Sequence, residues 1–290
     1  VFVYLCSIEY TLICANVRSI YGIFKQANIL AAGIGDIRND HDANLTYEGE
    51  NHVLIQQCSN YLLKLWPQVL KRQPISSPLH SVDFLAHGLD ILTHKFNAGS
   101  VEEICCTNKI IEVYQWLITY LLKISYEKLE GQLKSGKMEF WAKSDSQVYY
   151  AKSLSIAYIQ HFYLQRMLVL ISEAPDEPIR KVLTRLFSLY GLWSLEKHIA
   201  FLYRGQYAVG SQLPELIHEA ILKLCADIKD DAVSLIDAIA PPDFVLNSVL
   251  GVSDGMVYKH LEKSIKGSEY GMNRPKWWQD VIKYNLKNKL

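Results

Sequence analysis

SVEEICCTNKIIEVYQWLITYLLKISYEKLEGQLKSG, residues 100–136, decides the fold class of this chain. Ser100 stands where a helix N-cap belongs and Glu103 follows three residues later. In that pairing each side chain satisfies a backbone N–H of the first turn. Ile104, Ile111, Val113, Trp116, Leu117, Tyr120 and Leu121 then recur at helical spacing and form a broad apolar face. The pattern predicts one long helix that opens at Ser100 and fails near Ser135-Gly136.

The same reading extends outward in both directions. Downstream, the spacing predicts a helix from Asp145 to Ser172, stopped by Pro175, and another opening at Asp176-Glu177-Pro178 and running to Tyr203, with Gly205 as its stop. A fourth runs from Pro214 to Pro241-Pro242, a shorter one from Asp254 to Ile265, and a last one from Trp277 to Leu286. Upstream, Leu54, Cys58, Tyr61, Leu62 and Leu65 share a helix face. Between Pro67 and Ser100 the pattern breaks at Pro67, Pro74 and Pro78, which marks a domain boundary there with a short helix within Val82–Phe96. Strand-like alternation and fixed-period repeats are absent. The expected fold is all-α, built of antiparallel helical bundles.

Composition narrows the function. Half of the 290 residues are hydrophobic, enough for a sizeable core, and 30 basic residues balance 30 acidic ones. No basic excess supports nucleic-acid binding. The six cysteines show no Cys-x-x-Cys spacing, so reduced core thiols are expected and no metal site. Residues 1–15 are apolar but interrupted by Glu9 and lack a basic leader, which argues against a secretory signal. No uninterrupted apolar run reaches the length of a membrane span. The chain opens on Val1, as a piece of a longer protein would.

Chemistry concentrates in residues 35–64, GDIRNDHDANLTYEGENHVLIQQCSNYLLK. A polar half containing Asn39, Asp42, Asn44 and Thr46 leads straight into an amphipathic helix. Tyr47-Glu48-Gly49 falls where loop becomes helix. A carboxylate there can face a cleft, and Gly49 lets backbone approach a planar ligand. The same acid can equally be a first-turn residue favoured by the helix dipole, and Glu50 and Asn51 can simply support the helix start.

Thr46-Tyr47-Glu48-Gly49-Glu50-Asn51, with Val53-Leu54-Ile55-Gln56-Gln57 and Asn60-Tyr61-Leu62-Leu63, is similar to the catalytic-glutamate motif of acyl-CoA oxidases, and its Tyr-Glu-Gly core also resembles acyl-CoA dehydrogenases. Ile37-Arg38-Asn39-Asp40-His41-Asp42 looks like the polar loop before that motif. Ser77-Pro78-Leu79-His80-Ser81-Val82-Asp83-Phe84-Leu85 resembles the entry to the oxidases' second helical domain. Leu192-Trp193-Ser194-Leu195 and Leu202-Tyr203-Arg204-Gly205 resemble its middle, and Lys229-Asp230-Asp231-Ala232-Val233 and Ala240-Pro241-Pro242-Asp243-Phe244-Val245-Leu246 its end. The likeness covers about residues 30 to 280 and is nearest to the branched-chain, pristanoyl-CoA type.

The resemblance implies an FAD-dependent peroxisomal oxidase of fatty-acid β-oxidation. It would convert a fatty acyl-CoA and O2 to the trans-2-enoyl-CoA and H2O2. Glu48 would be the base taking the α-proton, a task for which burial must raise its pKa, and Tyr47 and Gly49 would neighbour flavin or acyl chain. It also implies a homodimer, and three segments: residues 1–26 without a counterpart, 27–72 closing a dehydrogenase-like helical domain, and 73–290 as the oxidase C-terminal helical domain. The domains that hold much of the FAD and acyl-CoA would lie outside this chain, so the piece alone is expected to be inactive. Asn288-Lys289-Leu290 resembles the Ser-Lys-Leu peroxisomal address read by an import receptor. Two other readings stand beside this one. They are a non-catalytic helical assembly module and a mitochondrial acyl-CoA dehydrogenase, the latter disfavoured by the extra C-terminal helices.

Overall fold

The computed structural model describes residues 49–287, together with residues 32, 33, 35, 36, 39, 40 and 43. The regular elements among the described residues are all helices, without strands. They divide into two compact units. Among the described residues the first spans residues 49–233, and the second takes residues 234–287 with residues 32, 33, 35, 36, 39, 40 and 43.

The first unit opens with α1 (Asn51–Leu63) and α2 (Trp66–Leu70). Pro67 lies in the first turn of α2, where its missing N–H costs no helical bond. A 3-10 turn (Asp83–His87) and α3 (Gly88–Ile91) cross the proline-rich stretch. Next come α4 (Val101–Ile104), α5 (Thr107–Lys134), α6 (Glu139–Ser146), a π-helical turn (Gln147–Ala151) and α7 (Lys152–Ser172). The unit closes with α8 (Glu177–Glu196), α9 (Ile199–Arg204), α10 (Gln212–Ile228) and the start of α11 (Ala232–Asp237).

Specific contacts fix the helix directions. Tyr114 on α5 reaches Gln160 on α7, while Ile110 on α5 and Leu164 on α7 both face Gly191 on α8. Residue numbers rise on α5 as they fall on α7, so the two run antiparallel. On α1, Ser59 meets Gln147 and the Ile55 carbonyl accepts from Ser155 Oγ at 3.1 Å, again antiparallel to α7. Glu196 with His218, and Arg185 with the Asp227 carbonyl, set α8 antiparallel to α10. One core links these helices, from Leu62 and Trp66 through Trp116, Leu117 and Phe187 to Leu213 and Leu224.

Four expected helices are interrupted, three of them where a tertiary hydrogen bond intervenes. Ser100 does cap a helix, with Oγ accepting from Glu103 N at 3.3 Å, but Glu103 reaches back to Gly99 N and the helix ends after one turn. The Cys105 carbonyl is taken by Ser188 Oγ at 2.7 Å, and Cys106 is extended before α5 begins. The helix expected from Asp145 starts earlier, at Glu139, and carries the π-helical turn that brings Gln147 to Ser59. The helix expected to reach Tyr203 stops at Glu196, and the break carries His198 into the core. The helix expected to run to Pro241 stops at Ile228, because nothing on α11 is buried.

In the second unit, α12 (Asp243–Leu246), α13 (Val257–Gly267) and α14 (Trp278–Lys287) are short. Ser248 Oγ donates to the Ala32 carbonyl at 2.5 Å. Asp243 accepts from Ser253 N and Oγ, and Asp254 binds His260 at 2.8 Å.

Gly205 has no room for a side chain, since an added Cβ would lie 2.3 Å from Trp116 Cη2 and 2.9 Å from Tyr120 Cε2. Those rings are stacked at 5.1 Å between centroids and cannot both retreat. Gly205→Ala is expected to cost about 1–3 kcal/mol, read as a melting temperature lower by several degrees in circular dichroism. An unchanged melting temperature would show that the stack yields.

Candidate functional site

Of the residues singled out in the sequence, Tyr47 and Glu48 lie outside the described residues, as do residues 1–26, Cys6, Cys14 and the Asn288-Lys289-Leu290 tail. Gly49 is described, at a φ of 122°, a backbone conformation that side chains disfavour. An added Cβ would also lie 2.9 Å from Leu54 Cδ2. The chain therefore enters α1 through a turn suited to glycine.

Glu50 is the N-cap of α1. Its Oε2 accepts from Val53 N at 3.0 Å, and Oε1 pairs with His52 Nδ1 at 2.7 Å. The His52 hydrogen bond is the main reason that the Glu50 carboxyl is held below its ordinary pKa. Asn51 is buried, and its Nδ2 has no hydrogen-bond partner among the described residues. A side-chain-free glycine and an unpartnered amide donor thus stand together at the start of α1.

Elsewhere in the first unit the polar groups are structural. Asp83 accepts from Ser77 N at 2.8 Å and pairs with His80 at 2.7 Å, while Tyr158 donates to Ser81 Oγ at 2.8 Å. This Ser, His and Asp set staples the loop before α3. It is not a nucleophile relay, because His80 and Ser77 both engage the same carboxylate and the serine has no base of its own. Burial pushes the Cys58 thiol up to about 11, which keeps it protonated and unreactive. Cys58, Cys105, Cys106 and Cys225 are free. Among the described residues no group of three or more His, Cys, Asp or Glu could hold a metal, and no helix is long and apolar enough to cross a membrane.

Two features escaped the sequence reading. The core holds a polar set in which Tyr114 donates to the Gly191 carbonyl at 3.2 Å and His198 Nε2 meets Gln160 Oε1 at 3.0 Å. Beside it, His161 packs on Phe84 with ring centroids 4.9 Å apart, and neither ring nitrogen has a partner among the described residues. Tyr114, Gln160 and His161 lie on buried helix faces, and His198 lies in the break after α8. The second unit carries an open groove of about 810 Å³, lined by Asp243, Ser248, His260, Leu261 and Ser264 among others. Its hydroxyls come together only when α12 and α13 pack.

Burial depresses both core imidazoles, His161 to about 3 and His198 to about 4. An unfolded histidine titrates near 6.5. Below that pH the unfolded chain therefore binds protons that the native state refuses. Stability is full above about pH 6.5 and falls with acidification by about 1.4 kcal/mol per pH unit for each imidazole, until the folded values are reached. His161→Leu should remove that much of the slope between pH 6.5 and 5 in urea unfolding. An unchanged slope would show that His161 takes up its proton in the folded state.

Comparison with known proteins places this geometry. The family model described as acyl-CoA oxidase matches residues 106–287, more than half of the chain. The chain is 42% identical over 264 residues to peroxisomal acyl-coenzyme A oxidase 3 of Homo sapiens, covering 89% of this chain and 38% of that one. It is 32% identical over 257 residues to acyl-coenzyme A oxidase acox-3 of Caenorhabditis elegans, covering 88% and 36%. Among solved structures, acyl-CoA oxidase 1 of Arabidopsis thaliana superimposes with a TM-score of 0.86 at 19% identity, over 99% of this chain and 43% of that one. Acyl-CoA oxidase-1 of Caenorhabditis elegans, solved with FAD and ATP, superimposes with a TM-score of 0.77 at 22% identity, over 92% and 39%. The chain thus spans well under half the length of these relatives.

Proposed function

Since this chain belongs to the acyl-CoA oxidase family, we propose that it is the C-terminal part of a peroxisomal FAD-dependent oxidase of fatty-acid β-oxidation. In this reading the whole enzyme converts a fatty acyl-CoA and O2 to the trans-2-enoyl-CoA and H2O2. Residues 27–72 close its dehydrogenase-like helical domain, and residues 73–290 form its C-terminal helical domain. The carrying observation is the Tyr47-Glu48-Gly49 motif set directly before a capped, packed helix in a chain of this family.

Glu48 is the proposed base. The α-proton of an acyl thioester is weakly acidic, so its removal needs a carboxylate held within hydrogen-bond reach and shielded from water. Tyr47 and Gly49 are proposed, by their place in the motif, to neighbour flavin or acyl chain. Bound FAD supplies the acceptor for the β-hydrogen and the passage of electrons to O2. The enzyme is proposed to act as a homodimer. Its delivery to peroxisomes would use Asn288-Lys289-Leu290, and the name of the relative from Homo sapiens supports that location.

In the full-length enzyme, Glu48→Gln is expected to lower acyl-CoA-dependent peroxide release by at least about 100-fold, with FAD content unchanged. Turnover equal to the parent would remove Glu48 as the base. A fluorescent protein extended by residues 279–290 should collect in peroxisomes and disperse when Leu290 is deleted. Diffuse signal from both forms would refute the tail as the address.

A further inference from the structure

The second unit leaves two complementary surfaces open. The first is the groove of about 810 Å³ beside α13, lined by the apolar side chains of Val249, Val252, Leu261 and Ile265 and by Asp243 and Ser264. Leu261 and Ile265 stand one helical turn apart on α13 and so share a face. No Lys or Arg is among the lining residues. His260, which also lines the groove, is held by Asp254 at 2.8 Å, so a second carboxylate stands beside Asp243. The groove is apolar along its length and acidic at its edge.

The second surface is α14. Trp278, Val281 and Ile282 fall at i, i+3 and i+4 and share one side of that helix, with Trp277 directly before it. Trp277 is 57% exposed, Val281 48% and Ile282 45%, so the apolar stripe faces solvent. Arg274, Lys276 and Lys283 flank it and outnumber Asp280. The Arg274 guanidinium lies 4.4 Å from the centre of the Trp278 ring, which keeps a cation against the stripe.

An apolar, acidic groove and an apolar, basic helix are what helix-in-groove recognition requires. Within one chain the match is not made, because α14 contributes no lining residue to the groove and its stripe stays exposed. A different protein filling the groove would leave that stripe uncovered. Two copies related by a two-fold axis cover both surfaces at once, since each carries one groove and one helix. We infer that α14 of one copy docks in the groove of a second copy, and reciprocally, with Trp278, Val281 and Ile282 against Leu261 and Ile265. The inference rests on the proposed homodimer and names the surface through which the copies meet.

The test uses the full-length oxidase with saturating FAD. Ser264→Cys and Ile282→Cys are made singly and together, oxidised mildly and run on non-reducing gels. The double variant should give a covalent dimer that reductant dissolves, while each single variant stays at the mass of one chain. Val281→Asp changes an exposed side chain and should leave the melting temperature unchanged while weakening dimerisation at least about 10-fold in sedimentation. A double variant without a covalent dimer, or with its disulfide confined to one chain, overturns the inference. So does a Val281→Asp enzyme that dimerises like the parent. Sedimentation of the parent separates the two levels. A monomeric parent removes the homodimer and the docking together, whereas a dimeric parent whose double variant gives no covalent dimer removes the docking alone.

Discussion

The bundle depends on the close approach of three helices at Gly191. A Cβ at that position would lie 2.7 Å from Ile110 Cγ2 and 3.4 Å from Leu164 Cδ2, so α8 comes nearer to α5 and α7 than a side chain allows. The same residue's carbonyl accepts from Tyr114, which is fully buried and needs a partner for its hydroxyl. Packing and polar satisfaction thus meet at one residue. The antiparallel sequence α5, α7, α8, α10 follows from it, because α10 lies on α8 and α1 lies on α7.

Against that rigid centre, the start of α1 is governed by local chemistry. Gly49, Glu50, His52 and Val53 are near neighbours in sequence, and their bonds span no more than three residues. Below Ile55 the helix belongs to the bundle, held by Ser155 and Gln147. A loop-to-helix junction of this kind joins a locally determined turn to a globally determined scaffold. That division suits a functional group which must be presented accurately by an element that cannot itself move.

Helix periodicity was legible wherever an apolar stripe was long. Trp116, Leu117 and Leu121 on α5 are all buried, as the spacing required. The starts were legible too, at Ser100 and at Asp176, whose carboxylate accepts from Ile179 N at 2.9 Å. The interior breaks were not. Cys105-Cys106, Gln147–Ala151 and the Lys197-His198 step contain no glycine or proline. Their cause is distant in sequence: Ser188 at the first, Ser59 at the second, Gln160 at the third. A backbone carbonyl or an amide side chain that finds such a partner no longer favours the regular helix.

By itself, then, the sequence determined the all-α class, several helix ends, the glycine-to-helix junction at residues 49–54 and the family. All of these rest on interactions within a few residues or on motifs read in order. Tertiary structure alone decided which helices touch, where long ones break, and that Tyr114, Gln160, His161 and His198 enter the core. Those outcomes depend on the shape of a partner surface, such as the missing side chain at Gly191, and a surface exists only once the helices have met.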